Sequence, residues 1–254
     1  MPICLLLNTN HSRTTAFRYF RQRQRFGRFH SAWLTYLNHC RFAEVVVDRF
    51  AMFAGKKFRL TINGYEEFQR RAERTEGFML FSAHIGCYEI AGYSLVSKDK
   101  RFNALVFGGE KATVMQGRRQ QFADKNIRMI PIQTDMSHLF LVNDALANNE
   151  IVSMPADRVV SSSKTLSVTF LGAKAKLPMG PFSVATLRDE DVLAVNVMKT
   201  SAKSYSIYVV PLSYDKRAPR KRQMEQLAQS YAKELERRIK QYPEQWFNFY
   251  DFWA

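Results

Sequence analysis

The sequence predicts an α/β fold: a mixed, mostly parallel sheet covered by helices, with a helical extension ahead of it. Three observations point there. From residue 58 onward, short apolar runs alternate with stretches of helical periodicity, as in sheets whose strands cross over through helices. The late runs 192–198 and 205–212 are separated by a few mostly polar residues, so a hairpin is expected there and the sheet is mixed rather than purely parallel. Residues 1–56 read differently, as a basic helical pair appended to one catalytic domain over 57–254.

In order, residues 12–29 carry Arg18, Arg21, Arg25 and Arg28 at helical spacing, with Phe17, Phe20 and Phe26 close by. That is a basic amphipathic helix. Its arginines suit a solvated face over a core contact, anionic headgroups with the aromatics at the interface, or nucleic acid. A second helix is expected over 31–54, with Trp33, Leu37, Cys40, Val47 and Phe50 as a packed stripe and Gly55 as its stop. Strand 58–62 ends at a turn of Asn63 and Gly64, before a short polar helix over 65–74. Strand 78–82 is apolar enough to be buried, and a loop at His84 leads to a helix ending near residue 96. Strand 103–107, helix 113–124, strand 127–132 and helix 136–147 come next. Strands 151–154 and 167–171 and a short helix 181–187 precede the hairpin. The strongest helix spans 220–241, where Met224, Leu227, Tyr231, Leu235 and Ile239 keep one apolar face; Pro243 and an aromatic tail over 246–253 follow.

Composition narrows the function classes. With 254 residues, 46% of them hydrophobic, the chain can bury one sizeable core and is not broadly disordered. Thirty-eight Lys and Arg against 23 Asp and Glu give a net charge of +15, a field that attracts nucleic acid, an anionic membrane surface or an acidic carrier protein. Cys4, Cys40 and Cys87 fit no metal-ligand spacing and suit a reducing compartment. No apolar run approaches the roughly 20 residues of a spanning helix, so any membrane is met from one side; the abrupt start leaves room for an upstream segment.

The chemistry concentrates in 78–92, where an apolar strand ends and His84, Gly86 and Glu89 follow at once. Sites in α/β sheets gather beyond the carboxyl ends of strands. On one continuous helix His84 and Glu89 would diverge by about 140°. With His84 in the loop and a helix starting near Gly86, the chain can fold back and bring Glu89 to the imidazole. A carboxylate on Nδ1–H fixes the tautomer and leaves Nε2 to take a proton from a substrate hydroxyl. Such a pair holds no protein nucleophile, which points to direct attack by a bound alcohol on an activated acyl group. No second histidine lies near enough to build a zinc helix. Cys87 offers a thiol nucleophile if it faces the imidazole, and is otherwise a packing residue.

The segment from Ala83 to Glu89 resembles the His-x-x-x-x-Asp/Glu motif of the late lipid A acyltransferases, the bacterial lauroyl/myristoyl transferase family. The likeness continues in order. Residues 150–158, ending in Asp157 and Arg158, resemble that family's strand and Asp-containing loop. Phe170, Leu171 and Gly172 with 177–182 resemble its Phe-Gly and Pro-x-Gly-Pro segments, and 242–246 its Pro-Glu-Gln-Trp signature. The likeness spans residues 58 to 250. It implies a glycerol-phosphate acyltransferase-like fold, with His84 as general base and Glu89 as its partner. It also implies substrate-binding roles for Asp157, Arg158, Gly180 and Pro181, Arg158 as a donor to phosphate or oxyanion. The implied donor is acyl carrier protein, or acyl-CoA, as co-substrate with no resident cofactor. The implied acceptor is an anionic membrane lipid at the cytoplasmic face of the bacterial inner membrane.

Three departures bear on this. The chain has no spanning helix at its start, Ala83 stands where Asn is common, and Gly108 and Gly109 stand where relatives acting on lipid A carry Arg-Pro. The last widens the acceptor to another hydroxylated or aminated lipid or a polyene. The other classes are a basic nucleic-acid-binding protein, for which no recognisable motif is present, and an acyl-thioester hydrolase using water as acceptor.

Overall fold

The run Phe78–Ser82 is buried at every position, which suits a strand in the middle of a sheet covered on both faces. A computed structural model of the chain, describing residues 10–107, 126–133, 137–159 and 164–253, places it there. The strands are β1 (Arg59–Asn63), β2 (Phe78–Ser82), β3 (Phe102–Phe107), β4 (Ile127–Ile132), β5 (Ile151–Pro155), β6 (Thr165–Phe170), β7 (Ala173–Pro178), β8 (Asp191–Ser201) and β9 (Ser204–Leu212). Seven of them form one sheet in the order β1-β9-β8-β2-β5-β3-β4, while β6 and β7 form a separate hairpin. Every neighbouring pair in the large sheet is parallel except β8 with β9. The predicted mixed, mostly parallel sheet is present, with the late hairpin as its antiparallel element.

The helices are α1 (Asn10–Arg18), α2 (Arg28–Phe53), α3 (Tyr65–Ala72), α4 (Ala91–Ser94), α5 (His138–Ala147), α6 (Met179–Leu187) and α7 (Arg220–Gln241). The helix expected over 113–124 lies outside the described residues. Alternation along β2 divides the core in two. Met79 and Phe81 join a cluster with Phe182 of α6 and with Leu227, Tyr231 and Leu235 of α7. Phe78 and Leu80 point the other way, to Val45 of α2 and Phe68 of α3.

The N-terminal region departs from its expectation twice. Residues 12–29 are not one helix. After α1 the chain widens into a π turn over Tyr19–Arg23 and breaks at Gly27, whose extended backbone starts α2. The break turns Tyr19 and Phe20 into the core. The Tyr19 hydroxyl donates to the Pro243 carbonyl at 3.2 Å. Burying a Phe is worth about 1.5–3 kcal/mol, and that gain outweighs one regular helical turn.

In α2 the expected stripe packs only in part: Leu37 meets the core and Cys40 is half-buried. Trp33, Val47 and Phe50 are exposed, whereas Leu34, Asn38, Val45 and Asp48 on the opposite face are buried. That buried face docks through polar groups. Asn38 Nδ2 donates to the Glu244 and Trp246 carbonyls, each at 2.9 Å. Asp48 accepts from Lys199 of β8 and from the Tyr205 hydroxyl of β9, the latter at 2.6 Å. The N-terminal helices therefore share the core of the sheet.

The pair of Asp48 and Lys199 supplies a stability test. Asp48→Leu leaves a buried cation uncompensated and is expected to destabilise the protein by about 3–5 kcal/mol in urea denaturation. Adding Lys199→Met removes that orphaned charge, so the double variant is expected to be more stable than Asp48→Leu alone.

Candidate active site

Strands β2 and β5 run parallel side by side, with Ser82 opposite Pro155. Two residues beyond each partner stand His84 and Asp157, so the register alone delivers an imidazole and a carboxylate to one spot on the carboxyl edge of the sheet. The Ala156 N–H donates to the Ser82 carbonyl at 3.0 Å, carrying the pairing past the strand ends.

One carboxylate grips one histidine twice. The His84 backbone N–H donates to Asp157 Oδ2 at 2.9 Å, and ring Nδ1 meets Oδ1 at 2.8 Å. The Asp157 side chain is 3% exposed and that of His84 23%. Burial disfavours the Asp157 charge, but the charge of His84 beside it, the two hydrogen bonds from His84, and Arg158 outweigh burial and hold the carboxyl below its ordinary value. Asp157 is thus an ionised acceptor at neutral pH, which makes Nδ1 the protonated ring nitrogen. Nε2 is the basic one, with no hydrogen-bond partner among the described residues.

The loop after β2 is clamped by the C-terminal segment. The Phe247 N–H donates to the His84 carbonyl at 3.0 Å, and the Gly86 N–H to the Gln245 carbonyl at 2.9 Å. The Gln245 side chain doubles as a strand partner: its Oε1 accepts from the Lys199 N–H and its Nε2 donates to the Lys199 carbonyl, both at 2.8 Å. The Pro-Glu-Gln-Trp segment thereby links the end of β8 to the histidine loop. Tyr231 of α7 donates to the Ser82 carbonyl at 2.8 Å, and Tyr250 to the Asp157 carbonyl at 3.1 Å.

This geometry corrects the expected partner of His84. The residue on Nδ1 is Asp157, not Glu89. No helix starts at Gly86. That residue bridges to Val197 of β8, the Cys87 N–H donates to the Val197 carbonyl at 2.9 Å, and a 3-10 turn begins only at Tyr88. The extended stretch carries Glu89 to α2, where its carboxylate accepts from Arg49 at 3.0 Å. Asp157, expected to bind substrate, is instead bound to the histidine. Arg158 is exposed, and one of its N–H groups donates to the Phe247 carbonyl at 3.3 Å. Gly180 and Pro181 lie in the first turn of α6 and make no hydrogen bond to His84 or Asp157 among the described residues. Cys87 is buried, and burial followed by the nearby Glu89 charge pushes its thiol well up, which removes it as a nucleophile at neutral pH. Among the described residues, no cluster of three or more His, Cys, Asp or Glu could hold a metal.

Sequence reasoning did not foresee the roles of Arg49 and Gln245. Asp157 was expected at the site, and its place beside His84 could have been found from the sequence: it follows the end of a second largely buried strand at the same offset that His84 keeps from β2.

The family described as bacterial lipid A biosynthesis acyltransferase matches residues 47–254. The match begins inside α2 and takes in both His84 and Asp157. No individually curated protein matches the chain.

Gly86 tests the loop. Its φ is +54°, and a Cβ there would sit 1.9 Å from the Val197 carbonyl oxygen. Gly86→Ala is expected to cost roughly 2–4 kcal/mol in urea denaturation and to lower activity with it. Iodoacetamide at mildly alkaline pH is expected to leave Cys87 unlabelled in the folded chain, read by mass spectrometry, and Cys87→Ser to retain activity.

Proposed function

We propose that this chain, which belongs to the bacterial lipid A biosynthesis acyltransferase family and is an acyltransferase, moves a fatty acyl group from acyl carrier protein to a hydroxyl of a membrane lipid. The acceptor we favour is a lipid A precursor, met at the cytoplasmic face of the bacterial inner membrane. The observation that carries the mechanism is the double grip of Asp157 on a partly exposed His84 side chain, which leaves Nε2 as the basic nitrogen.

In this reading Nε2 takes the proton of the acceptor hydroxyl as its oxygen attacks the thioester carbonyl. The attack forms a tetrahedral oxyanion and an imidazolium that the Asp157 charge stabilises. Collapse breaks the carbon–sulfur bond, and the departing thiolate recovers the proton from Nε2. Ester and free thiol are the products, and the histidine returns to its starting tautomer. Arg158, exposed beside the pair, is the cation we assign to an anionic group on the acceptor. Glu89 acts at one remove, tying the loop to α2 through Arg49. A net charge of +15 supports both an acidic carrier protein and an anionic lipid as partners.

The test is acyl transfer from acyl carrier protein to lipid acceptor, read by mass spectrometry of the product. His84→Ala is expected to lower turnover by ~10²–10⁴ with the fold intact. Asp157→Asn is expected to fall comparably: its amide can offer N–H to Nδ1 and so place the ring proton on Nε2. Glu89→Gln, which can still accept from Arg49, is expected to keep most activity. Wild-type turnover in His84→Ala overturns the proposal, and free fatty acid as the sole product would make the protein a hydrolase.

A further inference from the structure

The outward stripe of α2 is the largest feature the catalytic reading leaves unused. At 3.6 residues per turn, Phe29, Trp33, Tyr36, Cys40 and Val47 fall within about 60° of one another. Phe29 is 91% exposed, Val47 64% and Trp33 58%, with Phe50 and Tyr36 near half. Phe29, Trp33 and Val47 lie roughly opposite the face held by Asn38 and Asp48, and are the most exposed large apolar side chains of the helix. From Phe29 to Phe50 it runs roughly 30 Å.

Its ends are basic. Arg21, Arg25 and Arg28 precede or open the helix and are exposed; Lys56, Lys57 and Arg59 follow it and are exposed as well. An apolar stripe rich in aromatics and bracketed by cations fits a helix lying in the plane of a lipid surface, with rings at the acyl boundary and cations among headgroups. A second copy of this chain fits poorly. With both ends basic, parallel and antiparallel pairing alike set cations against cations. Nucleic acid would answer the charges but not the apolar stripe between them.

Position adds a second argument. The buried face of α2 holds the Glu244 and Trp246 carbonyls, and that same segment clamps the His84 loop. The stripe therefore lies at the catalytic end of the sheet. We propose that the outer face of α2 is a docking surface for an anionic lipid leaflet, seating the carboxyl edge of the sheet against it. This rests on the reading above that the acceptor is a membrane lipid.

The test uses the full chain, with vesicles of phosphatidylcholine alone or with phosphatidylglycerol added, and flotation as readout. Binding is expected to the anionic vesicles, weakening as salt rises. Lipids brominated on the acyl chain are expected to quench tryptophan fluorescence, and Trp33→Phe to remove that quenching while vesicle binding persists. The triple variant Phe29→Ser, Trp33→Ser, Val47→Ser is expected to lower vesicle partitioning on the order of a hundredfold. Its turnover on detergent-dispersed acceptor is expected to be unaltered.

Four results overturn the proposal: vesicle binding that the triple variant does not change, binding without acyl-chain quenching, a dimer that the triple variant dissolves, or nucleic-acid binding in place of vesicle binding. The flotation arm needs no turnover. A chain that binds vesicles yet transfers no acyl group defeats the acyltransfer mechanism and leaves the docking surface standing; an active chain that ignores vesicles does the reverse.

Discussion

A single carboxylate fixes the histidine of the candidate site. Asp157 takes both the backbone N–H and the ring Nδ1–H of His84, so the position of the histidine and its tautomer are fixed by one group. Two donors from one residue leave little freedom for the ring to rotate, and they offset the cost of burying the charge. Remove that acceptor and the imidazole loses orientation, protonation pattern and electrostatic stabilisation together.

Several contacts from other elements hold that pairing in place. Parallel register between β2 and β5 sets the two strand exits level. Gln245 ties the end of β8 to the loop, and Asn38 and Arg49 bind α2 to the same region. Most of these holds are hydrogen bonds to backbone atoms, which fix where the chain runs more firmly than apolar contacts do. Both side-chain amide atoms of Gln245 are paired in this way, and so is Asn38 Nδ2, as buried polar groups require.

Much of the fold was legible because strong apolar periodicity leaves few alternatives. Phe78–Ser82 could only be a central strand, and Arg220–Gln241 appears as the predicted helix. The pair of His84 and Asp157 was half legible. His84 announced itself at a strand exit, but Glu89 looked like its partner because spacing along the chain stood in for spacing in the sheet. Asp157 lies 73 positions away from His84, and only strand order makes them neighbours. The error in α2 has a different origin. Periodicity reveals that a helix has two faces without saying which one the protein keeps. Here the inward face is partly polar because Asn38 and Asp48 make the docking bonds, which leaves Trp33, Val47 and Phe50 outside. Segment 12–29 was misread for a similar reason: its arginines keep helical spacing, but two buried rings broke the helix.

The most direct test is the protonation pattern of one ring. In ¹⁵N NMR of imidazole-labelled protein, with His84 assigned by its loss in His84→Gln, the account requires Nδ1 protonated and Nε2 bare above the titration range of the ring. Asp157→Asn should shift the proton to Nε2. A wild-type His84 carrying its proton on Nε2, or a tautomer that Asp157→Asn leaves unchanged while Glu89→Gln alters it, would contradict the account.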